Sequence, residues 1–157
     1  MSLEFLSTFM HENKIQGEFV QLDQDVPTVE DAARALGVLP DAIVKSVLFL
    51  ADSAPVLVIA NGLARVDSRR MADHLGVSRK RVKLADAQAV LALTGFHAGS
   101  VPPFGHKTRL RTIIDSRVMA QPVVYAGSGA VEAVVRISPA EIVRVTQAET
   151  ASLTDLS

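Results

Sequence analysis

The stretch Ile43-Val44-Lys45-Ser46-Val47-Leu48-Phe49-Leu50-Ala51, then Asp52-Ser53-Ala54, then Pro55-Val56-Leu57-Val58-Ile59-Ala60, holds two apolar runs parted by a short polar turn and closed by Asn61-Gly62. Aliphatic and β-branched runs of this length, bounded by turn residues, predict strands at 43–51 and 55–60 joined as a hairpin. On the first strand Ile43, Val47 and Phe49 share the face of Lys45, while Val44, Leu48 and Leu50 line the other. Both faces are apolar, so the strand is expected inside the molecule, where an unpaired ammonium is costly. Lys45 therefore either snorkels to solvent from the strand's first turn or stands at the floor of a cleft awaiting a phosphate or carbonyl oxygen.

Helices and further strands alternate around this hairpin without a regular repeat. Ser2 caps a helix running to about Asn13, and a strand follows at 18–22. Thr28-Val29-Glu30-Asp31 resembles a capping box and opens a helix that stops at Gly37. Ser68 starts a short helix ending at Gly76, and 85–93 reads as another ended by Gly95. A strand is expected at 109–114, and Val123-Val124-Tyr125 is expected to pair with 131–137 across the Gly127-Ser128-Gly129 turn. Ser138-Pro139-Ala140-Glu141 begins the last helix, with Pro at its first position and Glu at its third. The tail after Ala148, from about 149, is polar and expected to fray. With no Pro- or Ser-rich linker, the pattern predicts an α+β fold, one domain over 1–157, with a mixed, largely antiparallel, barrel-like sheet flanked by helices.

The chain has 157 residues, 48% of them apolar, enough to bury a sizeable core. It has no cysteine, which excludes disulfides, thiolate metal ligands and a cysteine nucleophile. No run approaches a membrane-spanning length, and the N-terminus reads as an amphipathic helix, so a cytoplasmic protein with no membrane partner is expected. The net charge is −1, but it is unevenly spread. Arg65, Arg69, Arg70, Arg79, Lys80, Arg81 and Lys83 stand against Asp67 and Asp73 alone, a local excess of +5. Such a segment is either a solvated basic helix and turn or the footprint of a polyanion. Lys107, Arg109 and Arg111 alternate along the strand expected after the Gly99 to Gly105 loop and would project from one face. Arg69, Arg70, Arg79, Lys80, Arg81, Lys107 and Arg109 are the candidate contacts for such a polyanion. Aromatic residues make up 4% of the chain and tryptophan is absent, which speaks against a non-specific single-strand binder.

Gly99-Ser100-Val101-Pro102-Pro103-Phe104-Gly105 offers few functional side chains, so its chemistry lies in its backbone. Proline fixes φ and glycine admits positive φ, which together can hold free N–H groups in a rigid cradle for an oxygen; a plain surface turn is the alternative. His97 and His106 flank this loop as the nearby general-base candidates, against a solvated role. Asp115 ends a strand, as a cap or a pocket organiser. The four histidines show no ligand spacing with acids, so no metal or other cofactor is expected. Neither a nucleophile elbow nor a dinucleotide fingerprint is present.

Taken in order, residues 43–49, Thr94-Gly95, Gly99 to Gly105, Thr112-Ile113-Ile114-Asp115 and Tyr125-Ala126-Gly127 resemble the YbaK/prolyl-tRNA-synthetase-associated editing domain family over nearly the whole chain. The resemblance implies a free-standing aminoacyl-tRNA deacylase, cleaving the ester of a wrong amino acid from tRNA, typically tRNA charged by prolyl-tRNA synthetase. It implies that Lys45 is the main functional side chain and that the Gly99 to Pro103 loop lines the pocket. On this basis Lys45, Gly99, Ser100 and Val101 are the candidate catalytic groups. Pro102, Pro103, Phe104, Gly105, His106, Asp115, Gly127 and Ser128 are the candidate substrate contacts. Members that remove cysteine carry a tyrosine where this chain has Leu22 and an aspartate where it has Val134, which implies another small amino acid, such as alanine. The partners implied are the acceptor 3′ end of an aminoacyl-tRNA and a prolyl-tRNA synthetase. A catalytically silent module that binds an aminoacyl-adenosine remains the alternative.

Overall fold

The computed structural model describes residues 2–23, 26 and 28–155. Among them lie helices α1 (Leu3–Glu12), α2 (Val29–Leu36), α3 (Ser68–Leu75), α4 (Ala87–Thr94), α5 (Ser116–Met119) and α6 (Pro139–Thr146). The strands are β1 (Gly17–Gln21), β2 (Val44–Ala51), β3 (Ala54–Asn61), β4 (Val82–Leu84), β5 (Arg111–Asp115), β6 (Val124–Gly127), β7 (Ala133–Ile137) and β8 (Glu149–Ala151). The helix starts follow the capping chemistry of the sequence. Thr28 Oγ1 accepts from Asp31 N–H at 3.0 Å and Ser138 Oγ from Glu141 N–H at 3.2 Å, each worth about 1 kcal/mol. Gly37, Gly76 and Gly95 end α2, α3 and α4 in the left-handed region.

The expected hairpin is present, with full pairing of β2 on β3 from Val44↔Asn61 to Ala51↔Ala54. Its turn is shorter than expected: Asp52 and Ser53 alone form it, at φ 51° and 69°, the left-handed pair that matches strand twist in a two-residue loop. The mixed α+β class holds, but the strands form two sheets, ordered β1-β7-β6 and β4-β2-β3-β5-β8, and do not close into a barrel. Pairing is antiparallel except where β5 joins β3 and β8 joins β5. The five-stranded sheet is buried on both faces. Ile59 and Ile114 pack with Leu6, Val124, Val135 and Ile142 on one side, and Val58, Ala60 and Ile113 with Met71 and Leu153 on the other. Complete burial of such a side chain stabilises by about 1.5–3 kcal/mol.

Three expectations are corrected. The tail does not fray: β8 extends the sheet, and Leu153 and Thr154 are buried. Asp115 Oδ1 accepts from the N–H groups of Leu153 and Thr154 at 2.7 and 3.1 Å, which tethers that segment. The strand expected at 109–114 begins at Arg111, so Lys107 and Arg109 precede it and do not share its alternation; Lys107 N–H instead bonds Thr94 O at 2.9 Å. Val131 lies before β7 and is exposed. No helix among the described residues is long and apolar enough to cross a membrane.

Candidate active site

Beyond β3, β2 has a neighbour on its other edge along part of its length only. β4 pairs with Phe49, Leu50 and Ala51, and a single bridge joins Ile43 to Tyr125 of β6. Between these two contacts the sheet opens into a cavity of about 410 Å³. α2 roofs it through Val29 and Ala32, and Gly62 passes so close beneath that a Cβ there would stand 2.7 Å from Val29 Cγ2. The remaining wall is mostly aliphatic, with Val47, Leu48, Leu84, Val90 and Val134.

Into this cavity converge Lys45, the loop residues Gly99 and Val101, and Gly127 at the end of β6. Lys45 is exposed and takes part in none of the ion pairs found among the described residues. Desolvation by the surrounding walls holds its amine below the ordinary lysine value, so an anion placed beside it relieves an existing cost. Gly99 adopts φ +95° with nothing within 4 Å of a Cβ position, leaving its backbone open to a ligand. The loop is braced from behind. Ser100 O accepts from Gly129 N–H at 2.8 Å, and Ser100 Oγ donates to His97 O at 3.1 Å. His106 Nε2 bonds the Pro102 carbonyl at 2.7 Å, and burial pushes its imidazole below the usual histidine value. These contacts occupy the carbonyls of Ser100 and Pro102, and Lys45 brings one amine to the cavity.

The other sequence candidates are dispersed. Ser100 lines an adjoining cavity of about 730 Å³ that shares Gly99, Gly127 and Val134 with the first; His97 lines it too. Pro103, Phe104, Gly105 and His106 line a separate cavity together with Phe9 and Gln147. Pro102 is buried. Ser128 is fully buried, its hydroxyl engaged with the carbonyls of Ala130 and Ala133 at 3.0 and 2.6 Å. Asp115 is likewise fully buried and serves the C-terminal segment and the N-cap of α5. Of the basic residues, Arg81 is paired with Asp52 at 2.8 Å and Arg70 bonds Ser152. Arg69, Arg79, Lys80 and Lys107 are exposed, and Arg109 bonds only Gln147 at 3.4 Å. The run Arg79, Lys80, Lys83 leads directly into Leu84 and Ala85 of the cavity wall. Sequence reading missed Ser46, a cavity residue whose hydroxyl is buried without a hydrogen-bond partner among the described residues; only the strand register could have singled it out.

The model of the aminoacyl-tRNA editing domain family matches residues 23–145. The chain belongs to this family. Residues of the open cavity from Lys45 to Gly127 fall inside that match. Over 94 residues the chain is 28% identical to a proline–tRNA ligase of Thermoanaerobacter sp., covering 60% of this chain but 16% of the ligase. It therefore spans a small fraction of such ligases. A Bacillus subtilis protein, YwhH, which carries no assigned function, is 25% identical and aligned over 90% of this chain and 89% of its own. Among solved structures, a protein proposed to act as a trans-editing enzyme for prolyl tRNA synthetase superposes with a TM-score of 0.88 at 28% identity, covering 99% of each chain.

Proposed function

We propose that this editing domain is an aminoacyl-tRNA deacylase that hydrolyses the ester of tRNA(Pro) bearing a small non-cognate amino acid. The carrying observation is the convergence of Lys45, the Gly99–Val101 backbone and Gly127 on one cavity. Its 410 Å³ suits an acyl group and part of a ribose, and its aliphatic lining suits a small apolar side chain. Lys45 holds the terminal phosphate or ribose region, which fixes the ester against the loop. The N–H groups of Gly99 and Val101 receive the negative charge that develops on the carbonyl oxygen. Water adds to the carbonyl carbon, the ester C–O bond breaks, and the proton passes to the departing ribose oxygen, giving free amino acid and uncharged tRNA. No histidine lines this cavity among the described residues. The ribose hydroxyl beside the ester orients the water, and the protein contributes shape and electrostatics.

Editing of this kind answers a limit of the synthetase pocket, where one methylene discriminates by only about 1–3 kcal/mol. The aliphatic Leu22 and Val134 favour alanine over cysteine as the residue removed. A prolyl-tRNA synthetase supplies the mischarged substrate. The test is deacylation of tRNA(Pro) charged with alanine, cysteine, serine or proline. Preferential loss of alanine supports the assignment, and binding without turnover of any of them would establish a silent aminoacyl-adenosine module instead.

A further inference from the structure

Successive residues of an antiparallel strand send their N–H and C=O alternately to its two edges. In β2 the odd residues serve β3, as shown by Gly62 N–H donating to Ile43 O at 2.7 Å. The even residues face the other edge, as shown by Ala85 N–H donating to Leu48 O at 3.0 Å. Ser46 is therefore an even residue on the edge where no strand is paired with it, between the Ile43–Tyr125 bridge and the end of β4 at Leu84. Its N–H and C=O, and the N–H of Leu48, point into the gap that forms the cavity. The buried hydroxyl of Ser46 has no hydrogen-bond partner among the described residues. A wall that is otherwise aliphatic thus presents one donor and acceptor set, spaced as a strand residue requires.

We infer that Ser46 reads the α-amino acid character of the substrate, pairing with the aminoacyl group as a missing strand would. The Ser46 carbonyl accepts from the α-ammonium, and the N–H of Ser46 or Leu48 donates to the acyl carbonyl oxygen. An aminoacyl ester carries this donor and acceptor on adjacent atoms, as does one residue of a β-strand. A polyphosphate, a sugar or a simple acyl ester does not. An apolar side chain then projects to one side of the sheet plane, among the aliphatic residues. The edge selects for a free α-amine, while the surrounding walls select for side-chain size, so the two selections are separable.

This inference rests on the deacylase reading, and the experiment separates the two. The intact chain is given alanyl-, seryl- and cysteinyl-tRNA(Pro), the N-acetylated form of each, and propionyl-tRNA(Pro), which matches the alanyl ester without its amine. Each rate is divided by the uncatalysed rate of the same ester, because an α-ammonium itself activates the carbonyl. The expected result is at least a tenfold lower enhancement for the propionyl and N-acetyl esters than for the fastest aminoacyl ester. Equal enhancements overturn the inference and leave the deacylase intact, whereas no enhancement of any ester overturns both. A second measurement replaces Val47 by its α-hydroxy acid analogue, which turns the Ser46 carbonyl into a weakly accepting ester carbonyl and also removes one N–H bond to β3. In the folded protein, a smaller ratio of aminoacyl to propionyl enhancement supports the inference; an unchanged ratio overturns it.

Discussion

Gly127 stands so close to Val101 that a Cβ on the glycine would lie 2.5 Å from the Val101 carbonyl oxygen and 2.9 Å from that of Ser100. Both obstructing atoms belong to the backbone, so no side chain can turn aside. Gly127→Ala must push the loop away from β6, at a cost of about 1–3 kcal/mol, and should lower deacylation sharply. Gly99→Ala meets open space but a φ of +95°, so its cost is conformational strain of about 1 kcal/mol. Urea denaturation of the two variants, compared with their turnover, checks this: the Gly127 variant should lose more activity and more stability than the Gly99 variant.

Lys45 extends from a strand whose pairing is made by its backbone, and its side chain has no partner to lose. Lys45→Ala should therefore leave the melting temperature within a degree or two while lowering deacylation. A hydrogen bond from a charged donor contributes about 1.5–3 kcal/mol, which predicts a loss of about 10- to 100-fold. A variant as active as the parent would show that the amine makes no contact in the transition state.

Asp115 gives the opposite contrast. Its carboxylate accepts from Leu153 N–H, Thr154 N–H and Thr154 Oγ1 as well as from Arg117 N–H at the cap of α5. Asp115→Ala would strand buried donors and remove a cap together, a loss of about 3 kcal/mol or more. The melting temperature should fall by roughly 6–12 °C, with kcat of the folded fraction unchanged, because this carboxylate lines none of the described cavities.

The hairpin at the centre of the fold was readable because its two runs are apolar at every position that a two-faced burial demands. Lys45 and Gly99 were readable because each breaks a local rule, a cation in an apolar strand and a glycine that needs positive φ. β4 and β8 were not. Val82-Lys83-Leu84 sits inside a basic run and Glu149-Thr150-Ala151 inside a polar tail, and both become strands only because β2 and β5 offer edges to pair with. Asp115 reads from sequence as a cap, which it is for α5, or as a pocket organiser; its tie to the C-terminal segment was hidden because the residues that use its oxygens lie 38 and 39 positions away. Ser46 carries no signal of composition at all, since its significance lies in which edge its backbone faces.

Glu149 connects β8 to the rest of the sheet electrostatically. Arg111 grips its carboxylate at 2.7 and 2.8 Å and His74 Nε2 lies 3.0 Å away, with the arginine hydrogen bonds the main cause of a carboxyl lowered to about 2. A carboxyl depressed in the folded state stabilises fully above its ordinary value of 4.5 and loses that contribution as pH falls through about 2. Glu141, held by Arg144 and the Gln16 N–H, is also lowered to about 2 and acts in the same direction. The urea midpoint should therefore decline between about pH 4.5 and 2, and Glu149→Gln should flatten part of that decline while Glu141 keeps the remainder.

Arg79, Lys80 and Lys83 are exposed and enter none of the ion pairs found among the described residues, unlike Arg81, which Asp52 engages. They lie on the segment that becomes the cavity wall at Leu84, so a backbone held there would deliver its 3′ end toward Lys45. Each phosphate neutralised by such a cation releases counterions and steepens the salt dependence of binding. Replacing all three with glutamine should weaken tRNA binding alike for every attached amino acid and reduce the log–log salt slope by up to about 3. Arg81→Gln alone should change the slope least, because its guanidinium already has a carboxylate partner. Measuring KM against salt for alanyl- and seryl-tRNA(Pro) separates this positioning from acyl selection: the triple variant should shift both KM curves in parallel and leave their ratio of kcat values unchanged.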